Sequence, residues 1–252
     1  MADLTPDELN SLRADAWFAS LPADLASWLV AQGAVKTLLP GQHLYFRGDP
    51  WDGLYAVLTG VLRVASVTEA GKESVLSFLE APTWFGEIAL FDQLPRTHDT
   101  AADTAATLLH IGREKLEALL EAQPRYWRFF GRLMALKTRL AFLGLEDLAV
   151  LPPEGRLARR LVWMMRTAGG VTRDGRVRLG INQSNLALML SMSRQTANKV
   201  LMTLQSRGII RVSVGALEVL DEDALADAAG LSESERRLLH SLTGQPSGTR
   251  QA

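Results

Sequence analysis

The sequence predicts an α+β chain: an N-terminal antiparallel β-roll over residues 1–123, one long helix over 124–151, a C-terminal winged helix-turn-helix over 152–225, and a tail over 226–252. Three observations carry this. Between Lys36 and Arg113 short apolar runs alternate with Gly41, Gly48, Gly53, Gly60 and Gly71 at turn-like intervals. From Pro124 to Leu151 an apolar pattern of helical period runs without an interior proline. Beyond Pro152 come a helix, a tight turn, a second helix and a hairpin.

Composition sets the bounds. With 47% hydrophobic and 22% charged residues, 252 residues suffice for two ordinary globular domains. No apolar run reaches the roughly 18 residues a membrane helix needs, and the N-terminus is polar and acidic, so a cytoplasmic protein without membrane contact is expected. With no cysteine, disulfides and thiolate metal sites are out of reach. The four histidines, His43, His98, His110 and His240, have no metal-ligand spacing. No Ser-His-Asp arrangement, paired acid motif or P-loop appears, so an enzyme is not expected and no cofactor is called for. Charge is polarised along the chain: 8 Lys+Arg against 17 Asp+Glu in residues 1–123, 5 against 2 in 124–151, and 11 against 6 in 152–225. The later parts attract phosphate and the first repels it, which suits a C-terminal half that meets nucleic acid.

Taken in order, residues 1–35 read as short helices, with Thr5-Pro6-Asp7-Glu8 as one start and Leu21-Pro22-Ala23-Asp24 as another. The runs HLYF, GLYAVLTGVLRVASV, SVLSFLE and TAATLLHI are too short and too many for a parallel sheet, so a compact barrel or roll follows. Inside it lies the most informative local motif, Trp84-Phe-Gly-Glu-Ile-Ala-Leu-Phe-Asp-Gln-Leu-Pro-Arg-Thr97. A strand ends at Phe85, Gly86 allows close backbone approach, and Glu87-Ile88-Ala89-Leu90 makes one helical turn with free N–H groups. With the guanidinium of Arg96 and the hydroxyl of Thr97 this forms a phosphate cradle, and Glu87 can accept from sugar hydroxyls. The same residues also fit a purely structural arrangement: a turn at Gly86, a cap at Glu87 and an ordinary ion pair at Arg96.

The long helix carries two apolar sets, Phe129, Leu133, Leu136, Leu140 and Leu143 beside Phe130, Met134, Ala141, Leu145 and Leu148. Two oily faces need two partners, so the helix is expected to pack on its own domain with one and on a second copy with the other. Tyr126, Trp127, Phe129 and Phe130 are expected to plug the roll. Leu151-Pro152 is a break and hinge. Arg156–Met165 is an amphipathic helix ended by Gly169-Gly170, then a hairpin about Asp174-Gly175. Asn182–Ser191 and Ser193–Ser206 form the helix pair, with Ala187 permitting a close crossing and Ser193 as N-cap. Arg194, Gln195, Asn198 and Lys199 lie on the outer face of the second helix, and they are the types that read base edges in a major groove. A hairpin about Val214-Gly215 is the wing, and Asp221–Leu225 begins a last helix.

The Gly-Glu-Ile-Ala-Leu…Pro-Arg-Thr run, the glycine-punctuated roll and the long helix resemble the cyclic-nucleotide-binding domain of the catabolite-activator/fumarate-nitrate-regulator (CRP/FNR) superfamily of transcription regulators, over roughly residues 20–225. The resemblance implies that Gly86, Glu87, Ile88 and Ala89 line a nucleotide, with Glu87 on the ribose hydroxyl and Arg96 and Thr97 on the cyclic phosphate, and that the long helix dimerises. Two departures bear on the effector. An ungapped alignment puts Ala141 and Phe142 where relatives responsive to cyclic AMP place a Thr-Ser pair on adenine, with Thr138 one turn earlier and Lys137 in reach of a base or phosphate. His98 stands where a small residue usually follows Arg-Thr. The expected effector is cyclic AMP or, as the leading substitute, cyclic di-GMP. Ser193-Arg194-Gln195-Thr196 resembles the family's Ser-Arg-Glu-Thr opening of the recognition helix. This implies Arg194 and Lys199 on bases and Asn182, Ser184, Ser193 and Thr196 on phosphates, with Gln195 altering the family's base preference. A homodimer on a near-palindromic double-stranded operator is expected, with RNA polymerase as a partner. The alternatives are a regulator of this type that needs no cyclic nucleotide, or a sensor subunit that uses the same domain.

Overall fold

In a computed structural model the described residues are 4–67, 73–167, 176–213, 215–233, 235–237 and 239. The expectations for Gly71, Gly169-Gly170, the hairpin turn Asp174-Gly175, Val214, His240 and the last twelve residues lie outside them. The chain divides into two compact units, Met1–Arg139 and Leu140–Ala252, so the division falls within the long helix.

The first unit opens with α1 (Pro6–Ala14), α2 (Ala16–Ala19) and α3 (Ala23–Gln32). Thr5 and Glu8 form the reciprocal capping box their spacing predicts, with Thr5 N donating to Glu8 Oε2 at 2.8 Å. The strands are β1 (Ala34–Leu38), β2 (His43–Tyr45), β3 (Gly53–Thr59), β4 (Val61–Val67), β5 (Glu73–Glu80), β6 (Thr83–Phe85), β7 (Asp99–Ala102) and β8 (Ala106–Gly112), with α4 (Ile88–Asp92) between β6 and β7. They form two four-stranded sheets, β1-β8-β3-β6 and β2-β7-β4-β5, with every pairing antiparallel. β3 is buried on both faces. Leu54, Ala56 and Leu58 join the core under the helices, and Tyr55 and Val57 join the core between the sheets. A strand covered on both sides has no polar alternation to advertise it.

α5 (Arg113–Ala122), a 3-10 turn at Pro124–Tyr126 and α6 (Trp127–Val150) follow. α5 was not foreseen by the sequence reading. Tyr126, Phe129, Phe130 and Leu133 are buried against the helical core, whereas Trp127 stays partly exposed and meets the ring of Phe91 at 5.4 Å. Beyond Met134 the second apolar set is open, with Leu145 63% and Leu148 49% exposed.

The second unit holds α7 (Pro153–Thr167), β9 (Arg178–Leu179), α8 (Gln183–Met189), α9 (Arg194–Ser206), β10 (Ile210–Ser213), β11 (Ala216–Val219) and α10 (Glu222–Ala228). α7 starts three residues earlier than expected because Pro153 occupies its first position, where a missing N–H costs nothing. The wing is the antiparallel pair β10–β11, and β9 adds to its other edge. Leu157, Leu161 and Met164 of α7, Leu186 and Ala187 of α8, and Ala197, Leu201 and Leu204 of α9 fill one core. Ala229 and Leu239 belong to that core as well, so the head extends past Leu225, where the expected tail had been placed.

Candidate functional site: an anion cradle in the roll and a nucleic-acid interface in the head

In the roll, Gly86 adopts φ +94°, a conformation that L side chains rarely adopt. A Cβ there would meet Arg96 Nη1 at 2.9 Å and the Gly53 carbonyl at 3.0 Å. The backbone after β6 is thus pressed against a guanidinium that is itself buried, at 6% exposure. Arg96 reaches this position because the strand β7 begins only at Asp99, and the preceding loop is pinned by Arg96 N to the Asp49 carbonyl and Gly48 N to the Arg96 carbonyl, each 2.9 Å. Its Nη2 donates to Asp52 Oδ1 at 2.5 Å and to the Gly53 carbonyl at 3.0 Å, and its carbon lies 4.2 Å from the Tyr45 ring centroid. Its Nε is buried with no hydrogen-bond partner. A buried donor of this kind is costly unless something accepts from it.

Glu87 is 3% exposed and forms an ion pair with Lys137 of α6 at 2.7 Å. Sequence spacing does not reveal this pairing, which joins residues fifty apart. Ala89 is buried while Ile88 points to solvent, so these two offer backbone rather than side chains to a ligand. Thr97 is exposed, and its hydroxyl is 3.0 Å from His98 Nδ1. Burial, and then Arg47, lowers the His98 pKa below its ordinary value. Thr138 turns its hydroxyl back to the Met134 carbonyl at 2.9 Å. Phe142 is exposed and belongs to the other compact unit.

The cradle contains a residue that the sequence reading missed. Asp52, in the turn before β3, accepts from Arg96 and from the hydroxyl of Tyr55, and the Tyr55 ring stacks on His110 with centroids 4.4 Å apart. Burial opposes the charge of Asp52, but hydrogen bonds from Tyr55 and Arg96 outweigh it and hold the carboxyl below its usual range. Arg96 therefore already makes the ion pair of the structural alternative through Nη2, while its Nε has no hydrogen-bond partner and its Nη1 lies beside Gly86. Behind the cradle, α2 is anchored by Trp17 Nε1 on the Phe129 carbonyl at 2.8 Å and by Phe18 stacked on Trp84. Asp15 caps α2, accepting from Phe18 N at 2.8 Å, and burial pushes its carboxyl up to about 6 despite the opposing pull of that bond and of Lys137.

In the head, Asn182 caps α8 by accepting from Asn185 N at 2.8 Å, and Ser193 caps α9 by accepting from Thr196 N at 3.0 Å, its hydroxyl 2.8 Å from that of Thr196. Ser184 lies in the first turn of α8, partly exposed. Buried Ala197, Val200, Leu201 and Leu204 fix the rotation of α9, so Arg194, Gln195, Asn198 and Lys199 stand together in solvent. Those four residues were all legible from helical period.

A roll of two antiparallel sheets followed by a winged head with a polar, exposed second helix is the architecture of a DNA-binding transcription regulator. The family models described as "Cyclic nucleotide-binding domain" and "Crp-like helix-turn-helix domain" match residues 35–123 and 155–228, together well over half of the chain. The "CRP-like cAMP-activated global transcriptional regulator" of Mycobacterium tuberculosis is 28% identical over 192 residues, 75% of this chain and 85% of that protein. The "Cyclic AMP receptor protein" of Thermus thermophilus is 29% identical over 189 residues, again 75% and 85%. The crystal structure of FixK2 from Bradyrhizobium japonicum shares the fold with a TM-score of 0.71 at 17% identity, covering 79% of this chain and 98% of that one. The chain belongs to the CRP/FNR superfamily of transcription regulators. Among the described residues no helix is long and apolar enough to cross a membrane.

Proposed function

We propose that this regulator is a homodimer that binds a near-palindromic operator in response to a cyclic nucleotide held at Gly86, Glu87, Ile88, Ala89, Arg96 and Thr97. The observation that carries the reading is the buried Arg96 Nε without a partner, beside a glycine conformation that lets the backbone reach the same guanidinium. A cyclic phosphate supplies the missing acceptor. Its ribose hydroxyl donates to Glu87, which the ion pair with Lys137 holds in place. The division of labour is roll, long helix and head, parted at 123/124 and 151/152, with the buried Ala229 and Leu239 carrying the head past 225/226. The open apolar face of α6 then meets a second copy, and the twofold axis sets two α9 helices about one turn of DNA apart. Arg194 and Lys199 read bases with Gln195 and Asn198, while Asn182, Ser184, Ser193 and Thr196 hold phosphates. RNA polymerase is the expected downstream partner.

Cyclic AMP is the first effector to test, since the relatives at 28% and 29% identity are named for it. Cyclic di-GMP is a second reading, favoured by Ala141 and Phe142 in place of adenine-reading hydroxyls and by His98 next to Thr97. A ligand of either kind acts by binding one arrangement of the dimer better than another. Parallel calorimetric titration with cyclic AMP, cyclic GMP and cyclic di-GMP tests the cradle. Saturable binding of one of them by the parent, lost in Arg96→Ala with the fold intact, is expected. Unchanged affinity in Arg96→Ala overturns the assignment.

A further inference from the structure

The family model for the DNA-binding domain ends at residue 228, but the fold of the head does not. Ala229 and Leu239 sit in its buried core and Leu231 packs against it. Arg159 of α7, its side chain 11% exposed, organises this segment. Its Nη1 lies 2.8 Å from Asp147 Oδ1, in the last turns of α6, and 2.8 Å from Glu235 Oε1. Its Nε donates to the Ala229 carbonyl at 3.0 Å and its Nη2 to the Gly230 carbonyl at 3.3 Å. One guanidinium thereby joins the end of the long helix, the first helix of the head and the chain beyond α10.

Glu235 has a second task. Its Oε2 accepts from Ser232 N at 2.8 Å and from the Ser232 hydroxyl at 2.6 Å, while Ser232 Oγ accepts from Glu235 N at 3.3 Å, a reciprocal capping box. The carboxylate that starts the segment's own helical turn is therefore also the one that neutralises Arg159. Burial works against the Glu235 charge, and the bonds from Ser232 and Arg159 hold its carboxyl below the usual value. Burial raises that of Asp147 in spite of Arg159. Leu143, Trp163, Leu231 and Leu239 line one small cavity with Arg159 and Glu235, and beside such apolar side chains a lost partner of a charge-assisted bond is costly. Between α6 and α7 only Leu151 and Pro152 intervene. The link itself is held by Leu151 N on the Asp147 carbonyl and Arg156 N on the Pro152 carbonyl, and the Arg159 cluster adds a second connection across it through side chains.

We infer that residues 229–239 are a strap that fastens the DNA-binding head to the last turns of α6 through Arg159, so that the head follows that helix instead of pivoting at Leu151-Pro152. The strap itself stands on the contacts above; its consequence for DNA binding rests on the function proposed for the chain.

Two full-length variants and one truncation test it: Glu235→Gln, which keeps a capping-box residue but removes the charge opposite Arg159; Asp147→Asn on the other side; and a chain terminated after Gly230. Amide hydrogen exchange is followed over residues 144–160 without ligand or DNA, with β3 and β8 as internal reference. The strap predicts exchange at the joint about tenfold faster in Glu235→Gln and in the shortened chain, with the roll unchanged. Exchange at the joint equal to the parent's in Glu235→Gln overturns it. Binding is then measured to the duplex that the parent enriches from a random-sequence pool. The expected result is an unaltered nucleotide affinity with a several-fold smaller gain in DNA affinity on adding nucleotide. A gain equal to the parent's overturns the coupling role. A parent that binds no nucleotide defeats the proposed effector site, and the exchange result still judges the strap.

Discussion

At the level of single residues, the buried charges of the roll, Glu87 and Arg96, each have a counter-charge, Lys137 and Asp52, that makes the burial tolerable. Asp15 is the exception. Its folded pKa of about 6 lies above the ordinary 3.8, so the native state binds the proton more tightly than the unfolded chain. The sign follows from linkage: the favourable contribution is present below about pH 4 and is lost as pH rises through about 6. Asp15→Asn keeps the α2 cap and removes the penalty. Its unfolding free energy at pH 7 should exceed the parent's, by roughly 3 kcal/mol at most, seen as a higher thermal midpoint, and its stability should be flatter between pH 4 and 6. A variant less stable at pH 7 means that the Lys137 interaction outweighs desolvation. Asp52 runs the other way. Its lowered carboxyl stabilises the fold above the unfolded pKa and loses that contribution as pH falls through the folded one. Asp52→Asn should therefore lower stability at neutral pH and flatten its fall toward acid, read by circular dichroism, while leaving Arg96 free to take a phosphate. Gly86, Glu87 and Arg96 were legible because they fall within one short run. Asp52 was not, and neither was the pairing of Lys137 with Glu87, since these partners lie 44 and 50 residues apart in sequence.

At the level of elements, α9 was the most readable. A serine cap, buried positions at helical spacing and four polar residues on the opposite face are all local signals. Arg194→Ala should relax specificity at one base position and cost about 1 to 3 kcal/mol, checked by binding to a panel of single-base variants of the preferred duplex. Equal weakening on every sequence would make Arg194 a phosphate contact. α6 was readable as a helix but only partly as an interface. Its two sets are both buried at Phe129 and Phe130, where the roll lies against them, and the second set opens to solvent only further along. Leu145→Glu, on the open face, should shift the protein to monomer in sedimentation without unfolding the roll; a dimer that persists would place the interface elsewhere. β3 and α5 were harder to read for different reasons. The first is covered on both faces, and the second follows β8 directly, with Gly112 as its N-cap and no side-chain cap to mark its start.

Across the whole molecule, an acidic sensor half and a basic DNA-binding half share one chain whose net charge is −1. Operator binding should weaken steeply with salt, as phosphate neutralisation requires, while nucleotide binding at the buried cradle should respond far less, because buried pairs are poorly screened. The ordering of the two modules could be read from the sequence; the place where the compact units divide, inside α6 rather than at Leu151-Pro152, depends on contacts by side chains far apart in the chain. The most direct measurement is selection of duplexes from a random-sequence pool by the parent protein, with and without saturating cyclic AMP, and in parallel with cyclic di-GMP. Enrichment of a near-palindrome with half-sites about one helical turn apart, strong only when one of the nucleotides is present, is the result predicted here. Equal enrichment with and without either nucleotide, or recovery of no common sequence, would contradict it.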